Sequence, residues 1–136
     1  MKRRFRAAPS VAAVEARDMH AVEALLAEDV VFTSPVVHKP YQGRAITAAI
    51  LRGVLRVFED FRYVKEIGEA DGADHALVFA TRVGDRELTG CDFLHVNEAG
   101  LIDEFTVMVR PLSGARALAE AMGAQFERIA REAASA

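Results

Sequence analysis

The feature that most constrains this chain is the run from Phe61 to Arg110. In it, four segments of alternating side chains are separated by tight-turn signals. Asp71-Gly72, Gly84-Asp85 and Glu98-Ala99-Gly100 are the breaks, and Pro111 closes the run. Glycine and aspartate supply the backbone geometry that reverses a strand, and Gly84-Asp85 fits a two-residue type II′ hairpin. The expected strands are Phe61–Ile67, His75–Val83, Glu87–Val96 and Leu101–Arg110. Strands joined this closely pair antiparallel, because a parallel pair needs a long crossover.

The segment before this run reads as helices around one strand. Ser10 is a candidate cap for a short helix carrying Val11, Val14 and Ala16. Asp18 is a second cap candidate, opening a helix with Val22, Leu25 and Leu26 on one side and Asp29 at its end. Val30-Val31-Phe32-Thr33-Ser34 is β-branched and aromatic, hence a strand, and Pro35 ends it. Val36 to Gly43 holds a second proline and a glycine and reads as a loop. Ile46, Ile50, Val54, Val57 and Phe58 recur at helical steps. After Pro111, Leu118, Met122, Phe126 and Ile129 form one stripe of a single helix over about Ser113–Ala133.

Helices first, then a strand meander, make an α+β chain. At 136 residues it is expected to be one domain over 9–133, preceded by a flexible basic tail over 1–8. The basic start, Met1 to Arg6, has no apolar segment after it and does not read as a secretory signal. Seventeen basic and twenty acidic residues are intermixed, for a net charge of −3. That balance gives no reason to expect nucleic acid or a membrane surface as partner. No apolar run approaches the roughly 20 residues of a membrane span. The single cysteine, Cys91, fits a reducing cytoplasm, and no His, Cys or Asp cluster has metal-ligand spacing along the sequence.

Several pieces of the chain carry a resemblance. They are Leu26-Ala27-Glu28-Asp29-Val30-Val31-Phe32-Thr33-Ser34-Pro35 and Pro40-Tyr41-Gln42-Gly43-Arg44. With them go Gly90-Cys91-Asp92-Phe93-Leu94, Gly100-Leu101-Ile102-Asp103-Glu104 and Val107-Met108-Val109-Arg110-Pro111. In order and spacing, over about residues 10 to 125, they resemble the SnoaL-like branch of the NTF2-like superfamily. The resemblance implies the cystatin-like α+β cone: a curved antiparallel sheet wrapped by three to four helices around a central pocket. It also implies a homodimer through the outer sheet face. It does not imply one activity, because the superfamily holds cyclases, isomerases, hydrolases and members without known chemistry.

Side chains alternate along a strand, so Gly90, Asp92, Leu94 and Val96 share one face and Cys91, Phe93 and His95 the other. In ketosteroid-isomerase relatives an aspartic acid stands eight residues before the glycine of the following turn. Asp92 stands in that relation to Gly100, so the resemblance turns it toward the pocket, with Phe105, Val107 and Val109 inward on the next strand. A carboxyl group there loses hydration and its pKa rises, which suits it to donate or accept a proton. The bland alternative is that Asp92 is satisfied by backbone or by Tyr41 and only closes the cone.

Other parts of the relatives' machinery are missing. The isomerase base aligns with Ser34 and its tyrosine with Ser10. The epoxide-hydrolase relatives' last aspartate aligns with Val107, and Arg82 has no aspartate two residues on. Both activities are therefore argued against. His38, in the loop beside Pro40 and Tyr41, is the second catalytic candidate if it folds over the pocket mouth; as a loop histidine it is otherwise solvated. Phe32, Ser34, Tyr41, Phe58, Phe79, Leu94, Phe105 and Val107 are the expected ligand-binding set. Arg110 is placed on the outer face, ion-paired to Glu104 or a partner subunit. Three functions stay open: a cofactor-independent acid–base enzyme acting on an apolar carbonyl compound, a binder of an apolar small molecule, and a structural dimer whose cavity Phe32, Phe58, Phe79 and Phe105 fill.

Overall fold

The computed structural model describes residues 8–69 and 71–135. The basic segment expected at the N-terminus lies outside them, apart from Ala8. Helices α1 (Ala8–Glu15) and α2 (Met19–Ala24) open the chain. Ser10 falls inside α1, not ahead of it as a cap. Asp18 does cap α2, accepting from Ala21 N at 3.1 Å. Arg17, between the two helices, takes φ +58. Its guanidinium donates to the carbonyls of Leu55 and, at 3.0 Å, of Phe58. A cation thereby meets orphan carbonyls at a helix C-terminus, here that of α3 (Arg44–Val57).

Strand β1 spans Leu26–Thr33, so Leu26 and Asp29 belong to a strand and not to the preceding helix. Its inward residues Leu26, Val30 and Phe32 are buried, and burial within the sheet outweighs the helical spacing that Leu26 shares with Val22. A short β2 (Tyr41–Gln42) pairs with β1 inside the segment expected as loop. Then come β3 (Glu59–Ile67), β4 (Asp74–Val83), β5 (Arg86–Val96) and β6 (Ile102–Arg110). The turn at Gly84 and Asp85 connects paired Val83 and Arg86, with Gly84 at φ +61 and Asp85 absent from the positive-φ residues, as type II′ requires.

The sheet order is β2-β1-β6-β5-β4-β3. Only part of the antiparallel expectation holds, because β1 lies parallel to β6. Hairpin turns fix the pairing of neighbours in sequence, but nothing local fixes that of the first and last long strands. The sheet is therefore mixed.

The expected C-terminal helix is two, α4 (Leu112–Gly123) and α5 (Phe126–Ala134). The break removes Phe126 from the core stripe and leaves it 58% exposed, while Leu118 and Ile129 stay buried. Arg56 on α3 ties α5 down, donating to Gln125 Oε1 at 2.7 Å and pairing with Glu132 at 3.1 Å. Gly53 makes room for that contact: a Cβ there would come within 2.8 Å of Ile129 Cδ1.

Two apolar clusters fill the space between helices and sheet. One gathers Leu26, Phe32, Ile50, Leu77, Phe105 and Ile129 among others. The second is aromatic, with Phe58 and Phe79 at its centre and Phe61 and Tyr63 against them. Among the described residues, no helix is long and apolar enough to cross a membrane.

Candidate functional site

Asp92 sits in the middle of β5, opposite Leu77 of β4 and Val107 of β6. Leu88, Gly90, Asp92 and Leu94 are buried in alternation with more exposed neighbours, so the carboxyl points inward. It lines a cavity of about 60 Å³, whose other walls include Phe32, Phe58, Phe79, Phe105 and Val107. Among the described residues, Tyr63 and Asp92 are the only ionisable groups lining it. The four phenylalanines expected to fill the space thus narrow it without closing it.

The partner of Asp92 is Tyr63, not Tyr41. The Tyr63 hydroxyl donates to Asp92 Oδ2 at 2.8 Å. Tyr63 stands on β3 opposite Phe79, which stands opposite Gly90, so the tyrosine reaches across β4. Gly90 makes that reach possible. A Cβ there would lie 2.2 Å from Phe79 Cζ, so only glycine lets the Phe79 ring lie over β5. Phe79 in turn stacks near Phe61 and Phe58, at 5.0 and 5.7 Å between ring centroids, and Phe61 meets Tyr63 edge-on at 5.0 Å. Glu15 of α1 accepts from the Tyr63 backbone N–H at 3.2 Å, where β3 shifts register against β4.

Burial raises the Asp92 pKa from 3.8 to about 7, against the opposing pull of the Tyr63 hydrogen bond. Loss of hydration penalises the anion more than one donor can repay. The Tyr63 phenol is pushed well above its ordinary range, by burial first and then by the adjacent carboxylate. Tyr63 therefore stays a neutral donor while Asp92 exchanges its proton near neutrality.

The remaining candidates separate. Ser34 and Tyr41 line a neighbouring groove and not the Asp92 cavity, whereas Phe32 borders both. Leu94 is buried in the core and lines neither. His38 is exposed and lines neither, so the expected approach to Asp92 is not seen. Ser34 Oγ accepts from Val36 N at 3.0 Å and Val37 N at 3.2 Å, which makes it a turn-forming group.

On the outer sheet face His95 meets Asp103 at 2.6 Å, and Glu104 lies close by. Sequence spacing misses this cluster because its members come from adjacent strands at a register shift, where Asp103 has no opposite number and Glu104 pairs His95. Arg110 makes no ion pair with Glu104 among the described residues. Arg82 is clamped by Glu59 at 2.8 Å and by Asp60 at 2.5 Å, away from the cavity. Burial raises the Cys91 thiol pKa, which lowers its thiolate fraction.

Tyr63 is the residue of the candidate site that sequence reasoning missed. Its signal was present in the alternation of Phe61, Arg62, Tyr63 and Val64. The irregular β3–β4 register hid which residue of β5 it would meet.

A SnoaL-like domain model matches residues 8–105. No functionally curated protein matches the chain. Among solved structures, a steroid delta-isomerase from Pseudomonas aeruginosa is 43% identical, with 90% of each chain covered and a TM-score of 0.85. A protein with a cystatin-like fold from Silicibacter pomeroyi, described as uncharacterised, is 40% identical over 93% of this chain and 88% of that one, at a TM-score of 0.87. An NTF2-like protein of unknown function from Cytophaga hutchinsonii shares the fold at 19% identity, with 82% and 96% of the chains covered and a TM-score of 0.61.

Proposed function

This chain belongs to the SnoaL-like domain family, and from that premise we propose that it moves a proton on an apolar carbonyl compound without a cofactor, with Asp92 as acid and base. The observation that carries this is the buried Tyr63–Asp92 pair in the wall of an apolar cavity. A carboxylate whose pKa lies near the working pH is present in both forms, and each form can be used. The ionised form takes a proton from carbon next to a carbonyl. The protonated form returns it, or donates a hydrogen bond to the developing enolate oxygen. Tyr63 holds the anion in place and sets its basicity.

The steroid delta-isomerase relative raises the question of transfer between two carbons. Transfer of a proton between two carbons needs a base that reaches both. Ser34, at the position where the resemblance expects that base, is taken up by the Val36 and Val37 N–H groups and lies in the groove. Asp92 alone must serve, so we restrict the proposal to one-residue acid–base chemistry and do not assign steroid isomerisation.

The test needs no knowledge of the natural substrate. The protein is incubated with a simple apolar ketone in deuterated water, and exchange of the protons next to the carbonyl is followed by NMR. Wild type is expected to accelerate exchange with a rate that rises through pH about 7. Asp92→Asn is expected to lose roughly a hundredfold or more. Equal exchange by the two proteins would sink the catalytic reading.

A second reading, binding without reaction, is favoured by the absence of any further ionisable group among the described residues of the cavity wall. It predicts a co-purifying apolar molecule in native mass spectrometry and no exchange above background. In either case we propose a homodimer through the outer sheet face, where Val64, Phe93 and Met108 stand 43–59% exposed. The lone Cys91 keeps a cytoplasmic location as the expectation.

A further inference from the structure

The Asp92 cavity is smaller than the ligand its walls invite. It encloses about 60 Å³, whereas sites for drug-sized molecules run to roughly 300–1,000 Å³. A second, larger space abuts it. About 280 Å³ lie between the segment around Ser34 and Val37, the inner side of α3, and helices α4 and α5. Phe32, Pro35, Val54 and Leu118 line both spaces and form a shared wall.

Two further observations say what the groove takes. Its rim is apolar in spite of solvent: Val36, Val37 and Phe126, at 38%, 40% and 58% exposure, all line it. Apolar surface kept exposed around a concavity marks a place where apolar matter docks. Among the described residues, the groove's only oxygen-bearing side chains are Ser34 and Tyr41, and no charged side chain lines it. A charged occupant would go unpaired there, at a high desolvation cost.

Resting on the reading of Asp92 as the polar contact, we propose that the ligand is an elongated, largely apolar carbonyl compound that spans both spaces. Its oxygen-bearing end lies at Asp92 and Tyr63. Its body passes the wall of Val54 and Leu118 and lies in the groove under α4 and α5. Rotation of those two side chains is the adjustment that joins the spaces, a change of the size that commonly accompanies binding. Ala119, Met122 and Gly123 then set the length and girth accepted.

The test is a binding series of linear methyl ketones, from four to twelve carbons, titrated calorimetrically into the full chain. Affinity is expected to rise by about fourfold per added methylene, and to keep rising after the Asp92 cavity is full. Ala119→Trp and Gly123→Leu each put bulk into the groove. Ala119 is exposed on α4, and a Cβ at Gly123 meets nothing within 4 Å, so both positions tolerate added atoms. Each variant is expected to weaken the long ketones roughly tenfold more than the short ones, with thermal melts confirming that it is folded. Affinity that levels off at the shortest members, or variants that weaken every length alike, would overturn the groove. The double variant Asp92→Leu with Tyr63→Phe, which removes both donors and keeps the bulk, runs in parallel and is expected to weaken all lengths by a common factor. Unchanged binding in that variant would overturn the placement of the oxygen at Asp92, a failure separate from loss of the length dependence.

Discussion

Asp92 is costly to bury, and the cost appears as a pH dependence of two kinds. The first is stability. The folded carboxyl titrates at about 7 and the unfolded one near 3.8, so between these values the folded state binds more protons. Stability from this group is complete below pH about 4 and is lost as pH rises through about 7. The difference amounts to up to about 4 kcal/mol. Urea unfolding of wild type and Asp92→Asn across this range is expected to show wild type losing ground to the variant as pH rises. A constant gap would contradict the buried titration. The second is reactivity. The Tyr63 hydrogen bond pulls the Asp92 pKa down, so Tyr63→Phe is expected to push it higher. Carbon-13 NMR of the aspartate carboxyls would follow the shift directly, and the exchange-rate profile would move to higher pH with it.

At the scale of elements, the site depends on how three strands stack their inward side chains. Gly90 leaves a gap on β5, Phe79 of β4 leans into it, and Tyr63 of β3 reaches past the ring to Asp92. Gly90→Ala drives a methyl group into Phe79, a buried ring with little freedom. Overpacking of this kind costs about 1–3 kcal/mol. The expected result is a lower melting temperature together with a shifted Asp92 titration, since moving Phe79 disturbs the Tyr63 contact. A variant that melts like wild type would show that the ring has room to move. The α4–α5 break belongs to the same scale. Periodicity runs through it without interruption, yet the chain bends at Ala124 and Gln125 and turns Phe126 out to the groove rim. Arg56 pins α5 at the required angle through Gln125 and Glu132, contacts between residues far apart in sequence.

At the scale of the molecule, the sheet has two faces with different uses. The inner one carries the cavity. The outer one presents Val64, Phe93 and Met108 to water with nothing over them in the single chain. A face of this kind, running from β6 and β5 out to the edge strand β3, suits an isologous contact between two copies. Phe93→Lys is expected to weaken such a dimer by roughly a hundredfold or more, as removal of a central aromatic anchor does. Sedimentation equilibrium at micromolar concentration checks it. A monomeric wild type would remove the proposed dimer and leave the cavity argument untouched.

The sequence by itself determined the four-strand meander, the α+β class and the face that Asp92 shares with Gly90 and Leu94. These follow from turn chemistry and two-residue alternation, which act over a few neighbouring positions. The resemblance to SnoaL-like proteins was equally legible, because it lay in short pieces kept in order. Only the tertiary structure decided that β1 runs parallel to β6, that Tyr63 and not Tyr41 meets Asp92, and that His38 stays outside. It also decided that Ser34 and Tyr41 belong to a second space beside the first. Each of these rests on register between strands or on a bend between helices. Those are set by the packing of side chains distant in sequence, and no local pattern encodes them.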